Sequence, residues 1–332
     1  MTEPPRTATP LEARFPRVPL LAATDLNDGI RGYVDSEAMR ALVAEFSGPA
    51  HEPIPEGDLA ANLAWLDRFS ERWDFRGGQE RNLVTDVEMS DARAELVLAA
   101  ADSLGLIGHT VPALSEYEHV LILGGLVRAC IARPLHCARL IEDGLRAGWV
   151  TALGGYRPLG GNELPLADSF GMAQHDNEFD VMDEGVRMAF SLGEPLNDRG
   201  VTSEEVGASW RVREYSGVDG LDVRVIAAPS SEPGVRRANT PDTYAWFASE
   251  VAHLQHGQRL LVVTTSIYVP FQHANAVRMF ALPFGVSVET VGAEPGDLDA
   301  RLSQQFLPHN YLQEIRSTIR ALRELCSIPR TD

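Results

Sequence analysis

The sequence predicts an α/β protein: a Rossmann-like, mostly parallel sheet flanked by helices, with a helical region ahead of it. Three observations carry this. Two aliphatic runs end in glycine pairs, Val120-Leu121-Ile122-Leu123-Gly124-Gly125 and Val150-Thr151-Ala152-Leu153-Gly154-Gly155. A third run, Leu260 to Thr265, ends in the hydroxyls of Thr264, Thr265 and Ser266. Continuous aliphatic runs are how strands buried on both faces read, and the carboxyl ends of such strands are where doubly wound sheets hold ligands. From His119 onward strand-like and helix-like segments alternate, the pattern of parallel strands joined by crossover helices.

The elements follow in order. Residues 1 to about 30 carry several prolines and no clear periodicity, which predicts an extended arm. Ser36–Phe46 is a helix, with Met39, Leu42, Val43 and Phe46 at helical spacing, and Asp58–Phe69 repeats the pattern through Leu59, Leu63, Leu66 and Phe69. A third helix covers Ser90–Leu104, with Ser90 as N-cap and Gly105 as stop. Residues 1–115 are therefore assigned to a helical N-terminal region, and 116–332 to the Rossmann-like domain with a C-terminal helix. In that domain the expected strands are His119–Leu123, Trp149–Leu153, Val223–Ala227, Leu260–Thr265 and Val286–Val291, with an edge strand at Ser209–Arg213. The expected helices are Ile131–Ala147, Glu178–Phe190, Pro241–Leu254 and Phe271–Leu282. The tail Asn310–Cys326 is amphipathic, with Leu312, Ile315, Ile319 and Leu322 on one face. Pro158–Asn177 and Ser191–Gly220 interrupt the alternation as irregular insertions, either binding loops or plain surface excursions.

Composition narrows the function classes. A chain of 332 residues can bury a large core. Its net charge of -18 repels phosphate backbones and anionic lipid, so neither nucleic acid nor a membrane is an expected partner. No apolar stretch approaches the roughly 20 residues of a membrane helix, and Met1–Pro19 has no apolar signal core, so a cytoplasmic location is expected. The three cysteines, Cys130, Cys137 and Cys326, lack metal-type spacing. The sequence contains no lysine: all 29 basic residues are arginine. That excludes a lysine Schiff base, a P-loop lysine and a catalytic amine.

The candidate chemistry lies at the strand ends. Gly124, Gly125, Gly154 and Gly155 let backbone amides approach a ligand closely, although Gly-Gly-Leu-Val-Arg lacks the dinucleotide G-x-G-x-x-G spacing. Arg128 stands where a ligand anion can sit, or is a salt-bridged surface side chain. Arg157, directly beyond a strand end, suits a bidentate anion clamp. Glu178 opens a helix and either complements its dipole or points into the cleft as a general base. Arg237, Asn239 and Thr240 resemble an anion-binding helix start, or simply cap that helix. Thr265 and Ser266 offer hydroxyls at another strand end. His273 is either a structural histidine or an acid–base group. His175-Asp176 and His253…His256 lack a third ligand, so no metal is expected.

Taken together, Leu123-Gly124-Gly125, the arginine-bearing helix through Arg139, Gly154-Gly155, Asn177-Glu178, Asn239-Thr240-Pro241-Asp242 and Val263-Thr264-Thr265-Ser266 resemble the domain-of-unknown-function 218 family of SanA-like and YdcF-like bacterial proteins. The resemblance spans about residues 118–292. The helical stretch from Trp65-Leu66 to Trp73-Asp74-Phe75 is similar to the N-terminal part of the soluble YdcF-like branch. The family tends to place a histidine and then an arginine after the hydroxyl cluster, where this chain has Val269 and Gln272. Its acidic residue ahead of Asn-Thr is also displaced here, at Glu232. The resemblance implies a polar cleft at the strand ends and a nucleotide-like ligand such as S-adenosylmethionine.

The expected function is a soluble enzyme acting on a small, anionic or nucleotide-like ligand bound at the strand ends. S-adenosylmethionine-dependent transfer is its most concrete form. Glu178 and His273 would move protons; Arg128, Arg157 and Arg237 would hold negative groups. The alternatives are a non-catalytic ligand-binding or regulatory module and a hydrolase of an anionic small molecule. Apart from that resemblance no motif specifies a cofactor, and nothing in the pattern specifies an oligomeric state.

Overall fold

The computed structural model describes residues 14–48, 52–75, 88–108, 110–217 and 220–328; residues 1–13 of the expected arm lie outside them. The chain divides into two compact units. One comprises the described residues within Met1–Leu20, Leu26–Leu106 and Leu307–Asp332, the other those within Leu21–Asp25 and Ile107–Phe306.

The first unit is helical. Its helices are α1 (Leu26–Val34), α2 (Glu37–Phe46), α3 (Leu59–Phe69) and α4 (Asp91–Ser103), joined by the C-terminal helix Pro308–Cys326. Side chains fix two of the starts: Ser36 accepts from Met39 N and Asp58 from Ala61 N, each satisfying an otherwise orphaned helix N–H. α1 lies where the sequence predicts an extended arm. Asn27, Asp28, Gly29 and Gly32 are poor helix formers, but Leu26, Ile30, Tyr33 and Val34 make a buried stripe at helical spacing, and that burial outweighs propensity. Trp73 is fully buried, edge-on to Phe69 and Phe46. The C-terminal helix packs against α3 and α4 through its buried stripe, which includes Leu312, Ile315, Ile319 and Leu322. Chain order predicts it beside the α/β domain instead; both faces of that sheet already carry helices of their own.

The second unit runs β1 (Glu116–Ile122), α5 (Val127–Glu142), β2 (Arg146–Gly154), α6 (Leu164–Ser169), α7 (Glu178–Phe190), β3 (Asn197–Val201), β4 (Trp210–Ser216), β5 (Asp222–Ala227), α8 (Thr240–Trp246), β6 (Arg259–Thr265), α9 (Val269–Ala276), α10 (Leu282–Phe284) and β7 (Ser287–Ala293). The C-terminal helix is therefore α11. The sheet order is β3-β4-β5-β2-β1-β6-β7. β5, β2, β1, β6 and β7 are parallel, whereas β4 and β3 turn back as an antiparallel edge. The α/β expectation with a mostly parallel sheet therefore holds. The chain builds outward from β1 through β2 to β5, then crosses back to β6 on the other side of β1. That reversal opens a crevice at the carboxyl ends of β1 and β6.

α5 and α7 cover one face over Val120, Ile122, Val150 and Val225; α8, α9 and the turns after them cover the other, around Leu121, Leu153, Tyr244, Phe247 and Phe280. α5 and α7 approach closely at Gly185, where a Cβ would strike the Cys130 carbonyl. Pro134 has no N–H to give that carbonyl, so its usual i+4 donor is missing at the contact. α5 also starts directly after the glycine pair, earlier than Ile131. The insertion 191–220 contains the β3–β4 hairpin; β3 (Asn-Asp-Arg-Gly-Val) is exposed throughout and shows no alternation from which to expect it.

Candidate functional site

The register of the parallel strands brings their carboxyl ends within two residues of one another: β1 ends at Ile122 beside Ala152 and Val263, while β2 and β5 end together at Gly154 and Ala227. Above the ends of β1, β2 and β5 lies a cavity of about 1070 Å³. It is lined by Gly124 and Gly125, Gly154 to Pro158, Glu178, the hairpin loop around Ser203–Ser209, Val235 to Thr240, and Thr243, Tyr244 and Gln272. Two of the glycines are required by close approach. A Cβ on Gly124 would collide with the Leu153 carbonyl and Glu178 Oε1, and one on Gly154 would lie 2.9 Å from Phe179 Cα.

Glu178 is set here by the neck of the 158–177 insertion. Leu159 N donates to the Asp176 carbonyl, Glu178 N to the Arg157 carbonyl and Phe179 N to the Gly155 carbonyl, so α7 begins beside the end of β2. Asn177 caps α7 by accepting from Asp180 N at 3.0 Å. The Glu178 side chain is 14% exposed. Burial pushes its carboxyl above the ordinary value, against the opposing pull of Arg157.

Every N–H of Arg157 is engaged. Nε donates to Glu178 Oε2 at 3.1 Å, Nη1 and Nη2 grip Glu163 at 2.7 and 3.0 Å, and the remaining bonds go to the Gly125 and Pro158 carbonyls. The anion expected at Arg157 is thus the protein's own. Glu163 also accepts from Val127 N, the first residue of α5, at 3.0 Å and from Gly160 N at 2.8 Å. Burial alone would raise the Glu163 carboxyl, but these bonds together with Arg157 hold it below the ordinary value. The crevice between β1 and β6 is filled as well. Arg133, buried on α5, donates to the Leu123 and Gly124 carbonyls at 2.8 and 2.5 Å and to Thr265 Oγ1 at 3.2 Å.

On the far wall, Asn239 and Asp242 form a reciprocal cap for α8, each side chain accepting from the other's backbone N–H at 3.0 and 2.9 Å. Arg236 is bound to Asp242, Glu232 and Ser231. Arg237 is exposed and lines the cavity, and its guanidinium makes no hydrogen bond or ion pair among the described residues. Thr240 lines it too. Tyr244 Oη donates to Gln272 Oε1 at 3.2 Å on the inner wall.

The structure therefore brings Gly124, Gly125, Gly154, Gly155, Arg157, Glu178, Arg237, Asn239 and Thr240 to one cavity. It leaves four other candidates outside. Arg128 donates to the Arg301 and Ser303 carbonyls. Thr265 receives Arg133, and Ser266 donates to the Ala293 carbonyl at 3.3 Å. His273 is 2% exposed, with Nε2 at 2.8 Å from the Leu21 carbonyl and Nδ1 at 3.0 Å from Thr290 Oγ1. A carbonyl only accepts, so Nε2 carries the proton and Nδ1 accepts the threonine hydroxyl. Burial lowers its affinity for a second proton, and it does not line the cavity.

The profile of the Rv3785 N-terminal domain family matches residues 19–105, the helical region. The uncharacterized proteins Rv3785 of Mycobacterium tuberculosis (strain H37Rv) and Mb3814 of Mycobacterium bovis are each 30% identical over 339 residues, covering 92% of this chain and 90% of theirs. The chain belongs to the Rv3785 family. No solved structure matches it. This membership corrects the expected resemblance to the domain-of-unknown-function 218 family, and with that resemblance goes the specific argument for S-adenosylmethionine. The shared signs were strand ends, helix caps and glycines, which any doubly wound sheet needs.

In this Rv3785-family chain the residues missed from sequence are Glu163, Tyr156 and Tyr244. Glu163 sits in a stretch without periodicity, so nothing marks it as the partner of Arg157. Tyr156 follows the second glycine pair directly, and that adjacency is its one signal. No helix of the described residues is long and apolar enough to cross a membrane.

Proposed function

We propose that the α/β unit is a small-molecule enzyme that binds a polar metabolite above the ends of β1, β2 and β5 and exchanges a proton with it through Glu178. The observation that carries this reading is the state of that carboxylate. Glu178 lines the cavity, burial raises its proton affinity, and Arg157 holds only Oε2. Oε1 stays beside Gly124, whose missing side chain leaves it room. A carboxylate whose proton affinity burial raises, fixed by one arginine, is suited to taking and returning a proton. Arg237 supplies the cation for a negative group at the outer end of the ligand. Glycine backbone at two strand ends supplies donors and acceptors without side-chain bulk.

The test is depletion of metabolites from a defined mixture of hydroxy acids, amides, esters, nucleotides and S-adenosylmethionine, followed by mass spectrometry, with binding read by thermal shift. Wild type is expected to consume one class. Glu178→Gln should lower the rate by at least ~100-fold while retaining binding, and Arg237→Ala should weaken binding. A ligand that binds tightly without turnover, indifferent to Glu178→Gln, would make the unit a binding module. No binding across the mixture would remove the reading altogether.

A further inference from the structure

We propose that Glu163 is a specificity-determining residue of the strand-end cavity: its carboxylate fills the anion position at the β1–α5 turn, so the ligand must present an uncharged inner end. This rests on the small-metabolite reading of the same cavity.

The β1–α5 turn is where a doubly wound unit offers its strongest anion site, a helix N-terminus with free backbone N–H groups. Here α5 has 16 residues, and its first N–H, Val127, is already bound. Glu163 Oε1 accepts from Val127 N at 3.0 Å and Arg157 Nη2 at 3.0 Å; Oε2 accepts from Arg157 Nη1 at 2.7 Å and Gly160 N at 2.8 Å. A helix end, a second main-chain N–H and a bidentate arginine are the donor set of a phosphate or carboxylate site. A carboxylate has about four acceptor positions, and this one uses all of them while only 5% exposed. It is the built-in equivalent of a ligand's anion.

The second position such a fold offers, the crevice between β1 and β6, holds Arg133 against two carbonyls and a hydroxyl. The inner end of the cavity is left with glycine backbone, the Tyr244–Gln272 pair and Glu178. A phosphate there would meet Glu178 at close range, with Glu163 behind it and Arg157 already taken, and like charges repel. The ligand class that fits has a hydroxyl, an amide or an acidic C–H at its inner end. A carboxylate or phosphate is accommodated only at the outer end, near Arg237. A nucleoside diphosphate that needs the β1–α5 turn for its pyrophosphate is excluded.

The experiment is thermal unfolding of the intact chain titrated with sodium acetate or inorganic phosphate at constant ionic strength. Glu163→Ala should lower Tm by roughly 10 °C, and either anion should restore it saturably. The same titration of the Glu163→Ala/Arg157→Ala double variant should show no saturable recovery. Arg237→Ala, which keeps Glu163, should show no saturable response to phosphate. A folded Glu163→Ala that neither anion restores would overturn the proposal. So would a saturable phosphate response in Arg237→Ala that disappears when Arg157 is also removed, because Glu163 would then be a displaceable plug. The Arg237→Ala arm decides even if Glu163→Ala fails to fold. Failure of the proton-transfer reading would appear as absent metabolite depletion and would leave the anion recovery intact.

Discussion

Arg157 shows how little a residue's chemistry follows from its position. Directly beyond a strand end it has the placement of an anion clamp, yet all its donors go to Glu163, Glu178 and two carbonyls. A full positive charge at that depth needs a partner, and the chain supplies two. The placement was legible in the sequence, and the partner was not. Glu178 shows the opposite case, since its helix-start position was legible and the side chain does line the cavity. Its sign is informative. Burial holds the folded carboxyl above the unfolded value of 4.5, so the native state holds that proton more tightly than the unfolded chain. Stability from this group is then intact below pH 4.5 and falls as pH rises through the folded value. Glu178→Gln is expected to be more stable than wild type at pH 8 and to lose that advantage at pH 4, measured as urea midpoints. Lower stability than wild type at both pH values would mean that the Arg157 ion pair outweighs burial.

Among the elements, legibility followed burial. β1, β2 and β6 contain aliphatic runs, β5 is aliphatic apart from Arg224, and all four were readable within a few residues. β3 was not, because an exposed edge strand needs no apolar pattern. α1 was hidden by its glycines and polar residues, and the start of α5 by Leu126-Val127-Arg128, which reads as loop. The α5–α7 contact rests on a feature no pattern displays: Gly185 gives room at the Cys130 carbonyl, to which Pro134 cannot donate. α7 also carries Glu178, which lines the cavity, so this contact helps to hold that carboxylate in place. Gly185→Val should destabilise the protein by about 1–3 kcal/mol through overpacking, seen as a lower urea midpoint. A change within about 0.5 kcal/mol, the scale of a neutral surface substitution, would show that the helices part there at little cost.

Across the molecule, alternation and strand ends were enough to predict an α/β sheet, but not which loops line the cavity at its carboxyl ends. Glu163, which grips the cavity-lining Arg157, and the hairpin loop at Ser203–Ser209, which lines the cavity itself, come from the two stretches with no periodicity, where tertiary contacts alone decide position. The C-terminal helix was clear as an amphipathic element, yet chain order did not reveal that it packs on α3 and α4. The net charge of -18 repels polyanions, and the partner proposed for the cavity is a small ligand. On the proposed function, burial at the strand ends makes Glu178 a proton-transfer group. The most direct measurement is a carbon-13 NMR titration of its side-chain carboxyl in the intact protein, assigned by its loss in Glu178→Gln. The expected result is an apparent pKa above 4.5 that falls in Glu163→Gln, where Arg157 faces Glu178 alone. A carboxyl that titrates at or below 4.5 would contradict it.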